Sequence, residues 1–110
     1  FDVAIIGAGP SGTAAAYSLL SRGLSVLILD RPGFPGKKAC AGGITPKCYR
    51  LFQYDIQPVI QRVCHAITFT GPGRSRFVVR HRLPLCYMTD RKDLDAFSLK
   101  KVVQSGARFC

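Results

Sequence analysis

Three glycines spaced as Gly7, Gly9 and Gly12, with Pro10 and Ser11 between the last two, and an acid at Asp30 are the residues whose types and spacing could do chemistry. That chemistry is the holding of a dinucleotide. Gly7 can turn the chain tightly, Gly9 carries no side chain to keep a pyrophosphate off the backbone, and Gly12 lets a following helix lie close to the strand before it. The N-terminus of such a helix aims free N–H groups at the phosphates. Asp30 comes twenty-three residues after Gly7, where a carboxylate accepts hydrogen bonds from the ribose hydroxyls of an adenosine. An acid there disfavours a 2′-phosphate, so FAD or NAD is expected rather than NADP, a choice that the neighbouring Arg31 keeps slightly open.

A lone Gly-x-Gly-x-x-Gly is a weak signal, because glycine-rich turns are common and most bind nothing. Its surroundings strengthen it here. Residues 1–6 are β-branched and apolar enough for a strand of a parallel sheet buried on both faces. After the turn, Ala14, Ala15, Ala16, Leu19 and Leu20 give a helix an apolar side, and Gly23 stops it. Residues 25–29 form a second buried strand that ends at Asp30.

A chain of 110 residues is one domain at most, and its 47% apolar content is sufficient for a core of that size. It begins inside the first strand, stops at residues 107–110 as another strand opens, and offers about three of the five or six strands usual for a doubly wound sheet. The expectation is an α/β fold in which residues 1–110 are the N-terminal part of a Rossmann-like FAD/NAD(P)-binding domain, the rest of that domain and a substrate domain lying outside. No apolar run approaches the roughly 18 residues of a membrane span and nothing resembles a signal peptide, so the parent is expected in the cytoplasm or peripheral to a membrane. Five cysteines, an odd number without a Cys-x-x-Cys pair, argue against a disulfide framework and against zinc, and no metal is expected. Sixteen basic residues against six acids, all Asp, give a net charge of +10, which suits an anionic partner. Nucleic acid is the weakest candidate, since the basic residues form no helical stripe and no aromatic RNA-reading motif accompanies them. His65 and His81 have no clustered acids or partner ligands and read as structural.

Residues 31–45, with two prolines and four glycines, form a long loop whose small, basic second half suits a backbone passing close to a flat ligand. Thr45 is placed to cap a short helix opening at Pro46. Residues 65–70 and 76–80 alternate in polarity around residues 71–75, which predicts an antiparallel hairpin outside the parallel sheet, one that would join the substrate-side sheet of a two-domain flavoprotein. Residues 86–89 are extended and lead to a helix capped by Asp90, with Ala96, Leu99 and Val103 as its apolar side and Gly106 as its end. Arg91 opposes the helix dipole in the first turn, a position tolerated more easily beside a bound phosphate or with Asp93 or Asp95 as a partner.

Residues 1–12, the segment Lys38-Ala39-Cys40-Ala41-Gly42-Gly43-Ile44, and the stretch from Asp90-Arg91 to Gly106-Ala107 together resemble the geranylgeranyl reductase family of FAD-dependent oxidoreductases, within the p-hydroxybenzoate hydroxylase-like flavoproteins. The cysteine-glycine segment is the specific part. The resemblance implies that Gly7, Gly9, Pro10, Ser11 and Gly12 touch the FAD pyrophosphate, that Asp30 binds the adenosine ribose with Arg31 beside it, that Cys40, Ala41 and Gly43 lie along the flavin, and that Arg91 contacts FAD from its helix. It implies reduction of isolated double bonds of a prenyl substrate by hydride from reduced flavin, with NAD(P)H or another reductant as electron donor. The family's later Gly-Asp segment and its prenyl-binding region are absent, and no residue is assigned to catalysis. A monooxygenase or halogenase of the same fold is the alternative, and a bare nucleotide-binding module the non-enzymatic one. The chain on its own is expected to self-associate.

Overall fold

A computed structural model describes the whole chain, residues 1–110. Strand β1 (Val3–Ile6) enters the glycine turn, helix α1 (Pro10–Leu20) carries the chain back, and strand β2 (Val26–Leu29) lies parallel to β1 with Val3 opposite Val26 and Ile6 opposite Leu29. A long excursion follows. It contains β3 (Gly43–Ile44), α2 (Pro46–Leu51), a 3-10 turn at Gln57–Val59, β4 (Arg62–Cys64), β5 (Ala66–Thr70), a second 3-10 turn at Pro72–Arg74, β6 (Arg76–Arg80) and β7 (Cys86–Met88). Helix α3 (Arg91–Gln104) then returns to the first sheet, where β8 (Arg108–Phe109) adds parallel to β2 and completes the order β1-β2-β8. The α/β class with a parallel sheet and an inserted hairpin is therefore what the chain adopts.

Both long helices end in the same hydrogen-bond pair. Leu24 and Gly23 N–H donate to the carbonyls of Leu19 and Leu20 at 3.2 and 2.9 Å, and Ala107 and Gly106 N–H donate to those of Val102 and Val103 at 3.2 and 3.0 Å. This is the Schellman pattern, which satisfies the last carbonyls and sends each helix directly toward a strand.

The helices bury only part of the faces their apolar residues suggest: Ala16, Leu19 and Leu20 of α1 and Leu99 of α3 pack on the core, and the others do not. In α1 the buried residues are Thr13 and Ala16, whereas Ala14 and Ala15 are exposed. In α3 they are Leu94, Asp95, Ser98 and Val102, whereas Ala96 and Val103 are exposed. On α3 the inward face also carries the buried Ser98 and Asp95, the latter paired with Arg91, so hydrophobicity alone does not mark it. Strand β1 differs as well. Its Val3 and Ile5 share the face of Val26 and Ile28, on which α1 and α3 both pack, while on its other face Ala4 is exposed and Ile6 is 89% exposed.

Two cores result. One joins Ala8, Ala16, Val26, Ile28, Val102 and Ala107, and the other joins Ile44, Ile56 and Leu94. Burying a residue such as Ile28 contributes about 2 kcal/mol. Helix α3 supplies a residue to each core, Val102 to the first and Leu94 to the second, and so it fixes the excursion to the parallel sheet. Tyr54 adds an aromatic link, its ring lying 5.2 Å from that of Tyr17 on α1 and 6.4 Å from that of Phe97 on α3.

Strand β7 is the centre of an antiparallel sheet ordered β3-β7-β4, in which Gly43 faces Met88 and Val63 faces Tyr87. Sequence patterning showed neither the two-residue β3 nor β4, both too short to carry an alternation. The hairpin β5–β6 forms as expected, with Ile67 opposite Val79 and the rings of Phe69 and Phe77 stacked at 4.8 Å. It pairs with no third strand, and every residue of both its strands is exposed.

Candidate functional site

The glycine turn is fixed from the ends of two strands. Gly7 N–H donates to the Leu29 carbonyl at 2.7 Å, and Ala8 N–H donates to Oδ2 of Asp30 at 2.7 Å. The other carboxylate oxygen, Oδ1, accepts from the Arg31 N–H at 2.7 Å. The Ala8 amide, followed by that of Arg31, holds the Asp30 carboxyl below the usual carboxylate range. A side chain at residue 12 would run into the Gly7 carbonyl, so only glycine lets α1 start this close to the turn. At Gly9 the space a Cβ would occupy is open. Helix α1 has no side-chain cap at Gly9 and no acid in its first turn, and the N–H groups of Ser11 and Gly12 find no acceptor in the chain. Those free donors at a helix N-terminus suit a phosphate.

A cleft of about 360 Å³ opens over this turn. It brings together Gly7, Gly9, Pro10, Ser11, Gly12, Asp30, Arg31 and Arg91, all named from the sequence. It also takes in Ile6, Phe34, Gly36, Lys37, Lys38 and Asp95, which were not. The two lysines were legible as a basic stretch but not as a wall, since the loop's path sets where they stand. Asp95 was legible only as a partner for Arg91. It accepts the parallel fork of Arg91, Nε to Oδ1 and Nη2 to Oδ2, both at 3.1 Å, with the two side chains 17% and 6% exposed.

A second cleft of about 510 Å³ shares Lys37, Lys38 and Arg91 with the first and adds Cys40 and Ala41. Cys40 is exposed, and its Sγ accepts from the Gly42 N–H at 3.4 Å. That amide first, and the Arg91 guanidinium second, draw the thiol below its ordinary pKa. Gly42 makes the placement possible: its φ is +73°, and a Cβ there would collide with the Thr89 carbonyl. Thr89 N–H closes the contact by donating to the Gly42 carbonyl at 2.9 Å. Gly43 lines neither cleft, because it is paired with Met88 in the β3–β7 ladder.

An open glycine face, unpaired amides at the head of α1, a carboxylate at the end of β2 and flanking cations form a donor set that fits FAD, whose phosphates take amide donors and whose ribose takes a carboxylate acceptor. Comparison with known proteins agrees. The family model described as FAD dependent oxidoreductase matches residues 2–97, and the chain belongs to that family. Relatives named as geranylgeranyl-type reductases are among the chain's matches, beside menaquinone reductases and a protein named FixC. The chain is 31% identical over 111 residues to digeranylgeranylglycerophospholipid reductase 2 of Methanothermobacter thermautotrophicus, a match covering 97% of this chain and 28% of the relative. It is 31% identical over 108 residues to geranylgeranyl diphosphate reductase of Rhodobacter capsulatus, covering 97% of this chain and 27% of the relative. The crystal structure of a geranylgeranyl bacteriochlorophyll reductase-like protein from Thermoplasma acidophilum superposes with TM-score 0.85 at 20% identity, over 98% of this chain and 29% of that one. A flavin-dependent brominase superposes with TM-score 0.74 at 22% identity, over 100% of this chain and 29% of that one, a likeness of fold. The chain thus spans less than a third of the length of the relatives it matches.

Proposed function

We propose that the protein acts as an FAD-dependent reductase on the double bonds of an isoprenoid chain, and that residues 1–110 form the N-terminal part of its cofactor domain. The observation that carries this reading is the meeting of the glycine turn and the Cys40–Gly42 segment at Arg91, which with Lys37 and Lys38 lines both clefts. In this arrangement the amides of Ser11 and Gly12, with Gly9 and Pro10 beside them, receive the pyrophosphate, and Gly7 shapes the turn. Asp30 accepts from the ribose hydroxyls, with Arg31 next to it. Cys40 and Ala41 flank the flavin, Gly43 supports them from beneath through its strand pairing, and Arg91 contacts the cofactor between its two halves. When bound and first reduced by a donor such as NAD(P)H, the flavin would supply the hydride. The prenyl specificity is supported by the names of the relatives.

A second reading, an oxygen-activating monooxygenase or halogenase, draws on the likeness of fold to the brominase. Anaerobic turnover separates the two. Full-length protein is given a reduced electron donor and a geranylgeranyl substrate without oxygen: saturated product is expected, and product formed only on admitting oxygen selects the second reading. No helix of the chain is long and apolar enough to cross a membrane, and a prenyl substrate would be met at a membrane surface.

A further inference from the structure

We infer that Asp95 is a positioning residue of the cofactor site, acting through Arg91, an inference that rests on the FAD reading above. Asp95 stands one helical turn after Arg91 on α3, is nearly fully buried, and takes the Nε and Nη2 edge of the guanidinium in a two-bond fork. A carboxylate at an anion-binding cleft is unfavourable by charge alone, since it cancels the cation beside it. What it gives in return is orientation. Arginine is long and rotamer-rich, and fixing it before the ligand arrives removes the ordering cost from binding. With Nε and one Nη2 proton committed to Asp95, the remaining N–H groups of Arg91 belong to the edge free to meet the ligand. The same grip holds Arg91 beside Cys40, so one carboxylate registers both clefts against α3. Burial of Leu94, the residue before Asp95, keeps that turn of α3 from rotating.

The test is a double-mutant cycle on the full-length protein, with FAD affinity of the apoprotein read by flavin fluorescence and folding by thermal denaturation. Asp95→Asn is expected to weaken FAD about tenfold with Arg91 present, the scale of one charge-assisted hydrogen bond. In an Arg91→Gln background the same change is expected to have no further effect on FAD. An effect of Asp95→Asn that persists undiminished in the Arg91→Gln background overturns the proposal, because a purely structural role for Asp95 does not need Arg91. Asp95→Glu, which keeps the charge but shifts the fork by a methylene, is carried through the same cycle with the same expectation and decides the matter should Asp95→Asn fail to fold. Wild-type apoprotein that takes up no FAD sinks the FAD reading and this inference with it, whereas uptake by wild type with a persistent Asp95 effect sinks this inference alone.

Discussion

Ala8 donates its amide to Oδ2 of Asp30 at 2.7 Å, so the acid that ends β2 also fixes the turn that follows β1. Asp30 therefore holds the turn, and the proposed FAD reading gives it a second task, accepting from the ribose. Asp30→Ala in the full-length protein is expected to weaken FAD by about ten- to a hundredfold while the protein stays folded. Flavin affinity unchanged in a titration of the purified variant would take Asp30 out of the site.

The same contact gives a pH dependence whose sign is fixed. Asp30 has a folded-state pKa below its ordinary value, so its contribution to stability is complete above the ordinary carboxylate pKa, about 4, and disappears as the pH falls from there through the lowered value. Asp2 behaves likewise through the Ser25 hydroxyl and amide. Asp30→Asn is expected to flatten the acid limb of a stability-versus-pH curve measured by denaturant unfolding, leaving the part that belongs to Asp2. Superimposable acid limbs for variant and wild type would show that Asp30 does not gain from the Ala8 amide.

Gly12→Ala places a methyl group against the Gly7 carbonyl, which is backbone and cannot rotate away. Overpacking of this kind costs about 1–3 kcal/mol. The variant is expected to melt several degrees lower and to bind FAD poorly, because relief comes only by moving α1 off the turn. A melting temperature and flavin content equal to wild type would mean that α1 adjusts freely.

Cys40 is the thiol expected to respond to the cofactor. In full-length protein, bound FAD should protect it from iodoacetamide, as read by mass spectrometry. Arg91→Gln should move the midpoint of its alkylation rate against pH upward, since the guanidinium is one of the two groups that favour the thiolate. Equal labelling with and without FAD would place Cys40 away from the ligand.

Residues 1–110 alone are expected to be nearly colourless and self-associating. The two clefts are open, whereas a ligand of this size normally has roughly 70–90% of its surface enclosed. Exposed Ile6, Phe69 and Phe77, together with sheet edges at β1 and β8, give copies something to pair on. Light scattering and a visible spectrum of the purified piece decide this, and a yellow monomer would refute it.

The parts legible in the sequence were those dictated by local chemistry. Thr45 accepts from Cys48 N–H at 3.2 Å and Asp90 from Lys92 N–H at 2.7 Å, as their cap positions implied. The hairpin, the glycine turn and the end of α3 follow equally from residue type. What could not be read depends on partners far along the chain. The buried face of α3 is partly polar because Asp95 meets Arg91, and a period count of apolar residues is blind to that pair. Lys37 and Lys38 become walls of a cleft only because Gly42 seats the loop on Thr89.

The hairpin leaves the body and returns to it at almost one point: Leu85 N–H donates to the Cys64 carbonyl at 2.8 Å, and His81 N–H to that of His65 at 2.9 Å. A segment whose ends are joined in this way is a cassette. It can be lengthened, shortened or exchanged while the antiparallel sheet beneath it, and with that sheet the seat of Gly42 on Thr89, keeps its pairing. A lineage carrying this fold can therefore alter what the hairpin meets without re-evolving the cleft that binds the nucleotide.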